Sequence, residues 1–186
     1  MTSLTLLTTL ALSLIVLNNS VAGLESENII GGQYVKKKEI KFQASIQIPI
    51  EHWCGGAFLA PDIILTAAHC FCDEETMVFT NRPYFVVAGT TNVSDHTYRS
   101  RVETIYLHKN FETDRRSGYY LNDIALIKLD KGFKVGKELP IDLASLPDKN
   151  EKFVGKTAVV SGFGYEKVKI TGNQRNENVI HSQFEI

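Results

Sequence analysis

The chain is 186 residues long, which is enough for one large domain or two small ones. Hydrophobic residues make up 44% of it and charged residues 22%, as in an ordinary globular protein. Its formal net charge of -1 gives no reason to expect a nucleic-acid or an anionic-membrane partner, so neither class of partner is predicted.

The first 22 residues are predicted to be a secretory signal peptide, although they contain no lysine or arginine. Residues 4–17 are apolar apart from threonine and serine, and the small residues Ser20, Ala22 and Gly23 follow. This apolar run is shorter than the roughly 20 residues that a membrane-spanning helix needs. A signal peptide cleaved near Ala22 therefore predicts a secreted, extracellular protein, in which disulfide bonds can form. No membrane partner is predicted.

Six stretches between residues 42 and 129 predict β-strands, with turn residues between them and no convincing long helix. They are residues 42–48, 53–60, 62–66, 84–89, 98–108 and 124–129. In the first stretch apolar and polar side chains alternate, which is typical of a strand buried on one face only. Such a series of strands predicts an all-β fold, an antiparallel barrel or sandwich. The apolar face of the first strand is Phe42, Ala44, Ile46 and Ile48, and the polar face is Gln43, Ser45 and Gln47.

The chain changes character after the sixth strand. Residues 131–150 are charged, contain two glycines and two prolines, and predict a linker across a domain boundary. Residues 157–161 and 179–186 then predict two further strands. A second domain is therefore expected to begin after residue 150.

A histidine follows the predicted strand at residues 62–66, in the sequence Thr66-Ala67-Ala68-His69-Cys70. We expect Cys70 to pair with Cys54, which leaves Cys72 without a partner. A disulfide there would fix the backbone that carries the imidazole. Such fixed placement is what a general base requires, because small displacements reduce its efficiency strongly.

The motifs of the chain, in their order, resemble those of the chymotrypsin-like (trypsin-like) serine proteases. The resemblance covers nearly all of residues 29–186. Each motif is only moderately specific, but together and in order they are very specific. They are Ile29-Ile30-Gly31-Gly32, Trp53-Cys54-Gly55-Gly56, Thr66-Ala67-Ala68-His69-Cys70, Val86-Val87-Ala88-Gly89, Val102 with Ile105, His108 and Phe111, Asn122-Asp123-Ile124-Ala125-Leu126-Ile127-Lys128-Leu129, and Gly162-Phe163-Gly164, where phenylalanine replaces the usual tryptophan.

The resemblance implies a secreted serine endopeptidase with a trypsin-like antiparallel β-barrel fold, the first barrel complete and the second only begun. His69 is expected to act as general base and Asp123 to orient its imidazole. Protein or peptide substrates and protease inhibitors are the implied partners, with no cofactor and no metal. The implied domains are a signal peptide (1–22), a short propeptide (23–28), the first barrel (29–130), a linker (131–150) and a partial second barrel (151–186).

Two features depart from the family pattern. Activation would cleave between Asn28 and Ile29, whereas the bond cut in family members usually follows arginine or lysine. The family's nucleophilic serine lies in a Gly-Asp-Ser-Gly-Gly motif that these 186 residues do not contain. The walls of the specificity pocket are missing with it, so the chain as given is expected to be inactive.

Three interpretations follow from these departures: a truncated protease, a non-catalytic protease homologue that binds or regulates other proteins, or a non-functional product. The retained His69 and Asp123 and the unpaired Cys72 favour the first. Asn92-Val93-Ser94 is in addition a predicted glycosylation site, at Asn92, in a polar loop.

Overall fold

The computed structural model describes residues 33–36, 39–73, 76–114, 119–135 and 141–164, and the backbone of residues 180–185. The predicted signal peptide and propeptide, with the cleavage site between Asn28 and Ile29, lie outside the described residues. Within the described part, no helix is long and apolar enough to cross a membrane. The strands are β1 (Gln33–Tyr34), β2 (Gln43–Ile48), β3 (Glu51–Ala60), β4 (Ile63–Thr66), β5 (Phe85–Ala88), β6 (Arg99–Leu107), β7 (Glu112–Thr113), β8 (Tyr120–Leu121), β9 (Ala125–Leu129), β10 (Thr157–Gly162) and β11 (Ile180–Glu185).

Six strands close into an antiparallel barrel in the order β2-β3-β4-β9-β6-β5. They correspond to the six stretches predicted between residues 42 and 129, so the all-β antiparallel fold class is confirmed. Gly56 lies where β3 approaches β4 most closely, because a Cβ atom there would stand 2.6 Å from Cγ2 of Ile64. The largest fully buried side chains of the barrel core include Phe58, Phe71, Ile46, Ile64 and Ile127.

The prediction that the first strand is buried on one face only was wrong. Ala44 and Ile46 enter the core as expected, but Phe42 lies in the turn before β2 and is 38% exposed. The polar face, Gln43, Ser45 and Gln47, is buried as well.

The polar face of β2 is buried because residues distant in sequence cover it and bond most of its polar atoms. Oε1 of Gln47 has no hydrogen-bond partner among the described residues. The Ser161 hydroxyl donates to Oε1 of Gln43 over 2.8 Å, and Nε2 of Gln47 donates to the Val93 carbonyl over 2.9 Å. Ser45 Oγ lies 2.8 Å from Nδ1 of His52. A buried polar face of this kind is stable only because such partners are present.

The short strand β1 joins β11 and β10 in a separate antiparallel sheet. Phe163, directly after β10, is 2% exposed and packs with Val35 and Val93. Its ring also lies 5.2 Å from the His52 ring, which connects this sheet to the first barrel. The domain limits at residues 130, 131 and 150 stay predictions.

Candidate active site

His69 lies just beyond the end of β4, at the first position of one turn of 3-10 helix, His69–Phe71. Its neighbours Ala68 and Phe71 are fully buried in the barrel core. Cys70 is joined to Cys54 by a disulfide, as expected, with the two Cα atoms 6.3 Å apart. The backbone of His69 is therefore anchored on both sides, while its side chain is 41% exposed.

Asp123 precedes β9, and strand pairing brings it next to His69. Thr66 at the end of β4 pairs with Ala125 at the start of β9. His69 and Asp123 therefore lie at the same end of the barrel. Asn122 adopts φ of 54°, a left-handed conformation that asparagine tolerates better than most residues. Its side-chain amide donates to the Asn110 carbonyl over 2.9 Å, which holds this turn in place.

The Asp123 carboxylate accepts two hydrogen bonds from His69. Oδ2 lies 2.6 Å from Nδ1 of the imidazole, and Oδ1 accepts the backbone N–H of His69 over 2.8 Å. A carboxylate at Nδ1 favours the tautomer that carries its proton there, which leaves Nε2 with a free lone pair. The arrangement can therefore accept a proton at Nε2 and stabilise the resulting imidazolium.

Tyr120 on β8 stacks on the imidazole, a contact that the sequence interpretation missed. The two ring centres are 5.1 Å apart and the ring planes differ by 10°. Tyr120 stands only three residues before Asp123, but nothing local in the sequence shows which way its ring points. Together the carboxylate and the phenol ring fix the plane of the imidazole.

One group of side chains among the described residues has the proximity of a metal site. It consists of Cys54, His69 and Cys70, whose ligand atoms lie within 4.8 Å of one another. Both sulfur atoms are consumed by the disulfide, so neither is a thiolate ligand. The group therefore does not provide the donor set of a zinc site.

Cys72 follows the 3-10 turn as a buried free cysteine. Burial raises the pKa of its thiol, and the nearby negative charge of Asp123 raises it further. The thiol is therefore kept protonated and unreactive beside the site.

The other predicted site residues have separate surroundings. Asn92 lies in the loop between β5 and β6, where its Oδ1 accepts the Ser94 backbone N–H over 2.8 Å. The proposed cleavage site at Asn28 and Ile29 lies outside the described residues.

The sequence model of the trypsin family matches residues 29–183 of this chain. The chain belongs to the trypsin family. The predicted resemblance is thereby confirmed, and the match extends over both the barrel and the residues that follow it.

Curated relatives match at moderate identity. Ovochymase-2 of Mus musculus is 30% identical over 141 residues, which are 73% of this chain and 22% of that protein. Coagulation factor XI of Bos taurus is 32% identical over 145 residues, which are 76% of this chain and 22% of that protein. The chain thus spans about a fifth of the length of these relatives.

Solved structures show the same fold. Neuropsin, a serine protease expressed in mouse brain, superposes with a TM-score of 0.68 at 20% identity, covering 83% of this chain and 63% of that one. Human heparin binding protein gives a TM-score of 0.66 at 22% identity, covering 83% of this chain and 64% of that one. At this identity the likeness concerns the fold alone.

Proposed function

We propose that this chain carries the histidine and aspartate of a secreted serine endopeptidase, which hydrolyses peptide bonds in protein or peptide substrates. The observation that carries the proposal is the double hydrogen bond between His69 and Asp123, at 2.6 and 2.8 Å. Membership of the trypsin family supports the same reaction class.

In this function each residue has a separate part. His69 takes a proton at Nε2 from a serine hydroxyl while the serine attacks the substrate carbonyl, and later gives it to the leaving amine. Asp123 holds the imidazole in the tautomer that leaves Nε2 free, and stabilises the imidazolium as it forms. The site works by proton transfer between side chains, so the proposed reaction uses no cofactor.

The proposed reaction also needs a nucleophilic serine beside His69. Among the residues that the structure describes, no serine hydroxyl lies within hydrogen-bonding distance of His69. The disulfide sulfur of Cys70 lies 3.8 Å from Nε2. We propose that these 186 residues by themselves do not hydrolyse peptide bonds, because their sequence does not contain the Gly-Asp-Ser-Gly-Gly motif that supplies the nucleophile and part of the oxyanion hole in this family.

The same observation favours a second candidate, a non-catalytic member of the family that binds or regulates other proteins. Such a protein keeps the barrel and its surface but has no serine within hydrogen-bonding distance of Nε2 of His69. The two hydrogen bonds between His69 and Asp123 favour the enzyme, because a histidine and a carboxylate in this geometry have no task in a purely binding surface.

Secretion, activation and modification belong to the proposal as well. The family match begins at residue 29, which supports cleavage between Asn28 and Ile29. The residue before the cut is asparagine, so the activating protease would differ from one that cuts after arginine or lysine. The sequence Asn92-Val93-Ser94 supports glycosylation at Asn92, which is half-buried in a turn where its carbonyl accepts the Asp95 backbone N–H over 3.0 Å. Protease inhibitors are the expected regulatory partners.

One experiment separates the two candidates. The protein is isolated as its cells produce it, its intact mass is measured, and it is treated with a fluorophosphonate that reacts with activated serines. The enzyme predicts a labelled serine and loss of labelling in His69→Ala. A native protein that takes no label, or that is labelled equally after His69→Ala, would contradict it.

A further inference from the structure

Trp53 is the single tryptophan of the chain and is bonded to Cys70, the residue that follows the proposed base in sequence. Its indole Nε1–H donates to the carbonyl of Cys70 over 2.6 Å, so the ring is held against the residue that follows His69. The side chain nevertheless remains 43% exposed. A large ring that is held against the residue after His69 and is nevertheless open to solvent offers a contact surface for substrate.

Arg82 adds a positive charge to this surface. Its guanidinium carbon lies 5.9 Å from the centre of the Trp53 ring, within the range of a cation–π contact. The residue is exposed, and its backbone N–H is fixed by a hydrogen bond of 3.0 Å to the Thr80 carbonyl.

No carboxylate of the described part of the chain neutralises this guanidinium. Among the described residues, Lys41, Lys128 and Lys156 form ion pairs with carboxylates, and Arg82 forms none. Glu51 is exposed two residues before Trp53 on the same strand, but it forms no ion pair with Arg82. The charge therefore remains available for a ligand.

We propose that Trp53 and Arg82 form a subsite for an acidic residue of the polypeptide substrate. The carboxylate accepts parallel N–H groups of the guanidinium, and the methylene stem of the acidic side chain packs on the indole. The inference rests on the proposed function, since a polypeptide reaches this surface when it is presented to His69. A glutamine of the same shape fills the space but lacks the charge.

Because Trp53 is the only tryptophan, its fluorescence reports binding directly. The full chain is titrated with alanine-rich hexapeptides that are acetylated and amidated at their ends. Each peptide carries one glutamate, at a different position in each, and has a twin in which glutamine replaces that glutamate. At one position or more, we expect the glutamate peptide to bind with a Kd about fivefold lower than its twin, the upper range for an exposed ion pair. The preference should shrink as salt is raised, because screening weakens the pair.

The matched variants are Arg82→Gln and Arg101→Gln, the latter removing another exposed arginine on β6. Arg82→Gln should abolish the preference for glutamate, whereas Arg101→Gln should retain it, with the unfolding midpoint unchanged in both. Equal Kd values for every pair of twins, no binding of any peptide, or a preference that survives Arg82→Gln would overturn the subsite. These outcomes are independent of the fluorophosphonate result, so failure of the subsite is distinct from failure of the proposed protease function.

Discussion

At the scale of single residues, Asp123 is the group on which the proposed site depends. Its two oxygens accept separate N–H groups of His69, one from the ring and one from the backbone. Its side chain is only 22% exposed, so water does not compete freely for these bonds. The carboxylate thus fixes both the position of the residue and the orientation of the imidazole.

Cys72 gives a test of the electrostatics around Asp123. Its raised pKa means that the folded protein holds the thiol proton more tightly than the unfolded chain, where the ordinary pKa is 9.0. The stability that this contributes is complete below pH 9.0 and declines as the pH rises above it. We expect alkylation of Cys72 by iodoacetamide in the native protein to show an apparent pKa above 9.0.

The control for the alkylation is the Cys72→Ser variant. It should take up no reagent, because the other two cysteines form the disulfide. In urea the wild-type thiol should become fully reactive and titrate at the ordinary value. A native thiol that titrates at or below 9.0 would contradict the buried, negatively charged surroundings.

At the scale of elements, the disulfide holds the 3-10 turn against β3. Cys54 and Cys70 are 16 residues apart in sequence, and closing a loop of that size is worth about 3 kcal/mol. Replacing both with alanine should lower the free energy of unfolding by about that amount in urea denaturation. Cys72→Ala is the control for losing a cysteine alone, and a double variant no less stable than this control would contradict the prediction.

The strands could be predicted from the sequence, but the burial of β2 could not. Alternation and turn residues located all six barrel strands, because these signals are local. The polar face of β2 is covered by Val93 and Ser161, which lie 46 and 118 residues away from Gln47 and Gln43. Contacts over such separations leave no periodic signal. The short strands β1, β7 and β8 have two residues each and were missed for the same lack of pattern.

The site was predictable only in part. His69, Asp123 and the disulfide were identified through motifs, and the structure brings all of them together. The contacts of Tyr120 with His69 and of Trp53 with Cys70 could not be predicted, because the direction of each ring depends on tertiary packing. Asn122 was identified as part of a motif, but the sequence did not show why asparagine occupies the position. The structure gives the reason, because the residue has a left-handed conformation, and asparagine tolerates positive φ.

At the scale of the whole molecule, Phe163 connects the second sheet to the barrel. It is 2% exposed, whereas Val154, in the same part of the chain, is 89% exposed. Phe163→Ala should cost about 3 kcal/mol or more of unfolding free energy, because it empties a packed site. Val154→Ala should change it by less than about 0.5 kcal/mol. Equal effects in urea denaturation would show that residues 157–163 do not pack on the first barrel.

Several large apolar side chains that follow the first barrel in the chain are exposed. Leu146, Val154, Val159 and Val160 are each between 43% and 89% exposed in the described residues. The proposed protease function and the burial of Phe163 are independent properties. The function concerns the end of the barrel that holds His69, whereas the burial of Phe163 concerns the outer face of β2.

The most direct test of the catalytic assignment is the rate of protein hydrolysis by the Asp123→Asn variant of the protein as its cells produce it, since residues 1–186 by themselves are proposed to be inactive. The asparagine preserves the shape of the side chain but holds the imidazole in the wrong tautomer, which in enzymes with this triad lowers kcat by about 10⁴-fold. We expect a loss of that size in kcat, with KM little changed. A variant that hydrolyses substrate at nearly the wild-type rate, or a wild-type protein without hydrolytic activity, would contradict the assignment of His69 and Asp123.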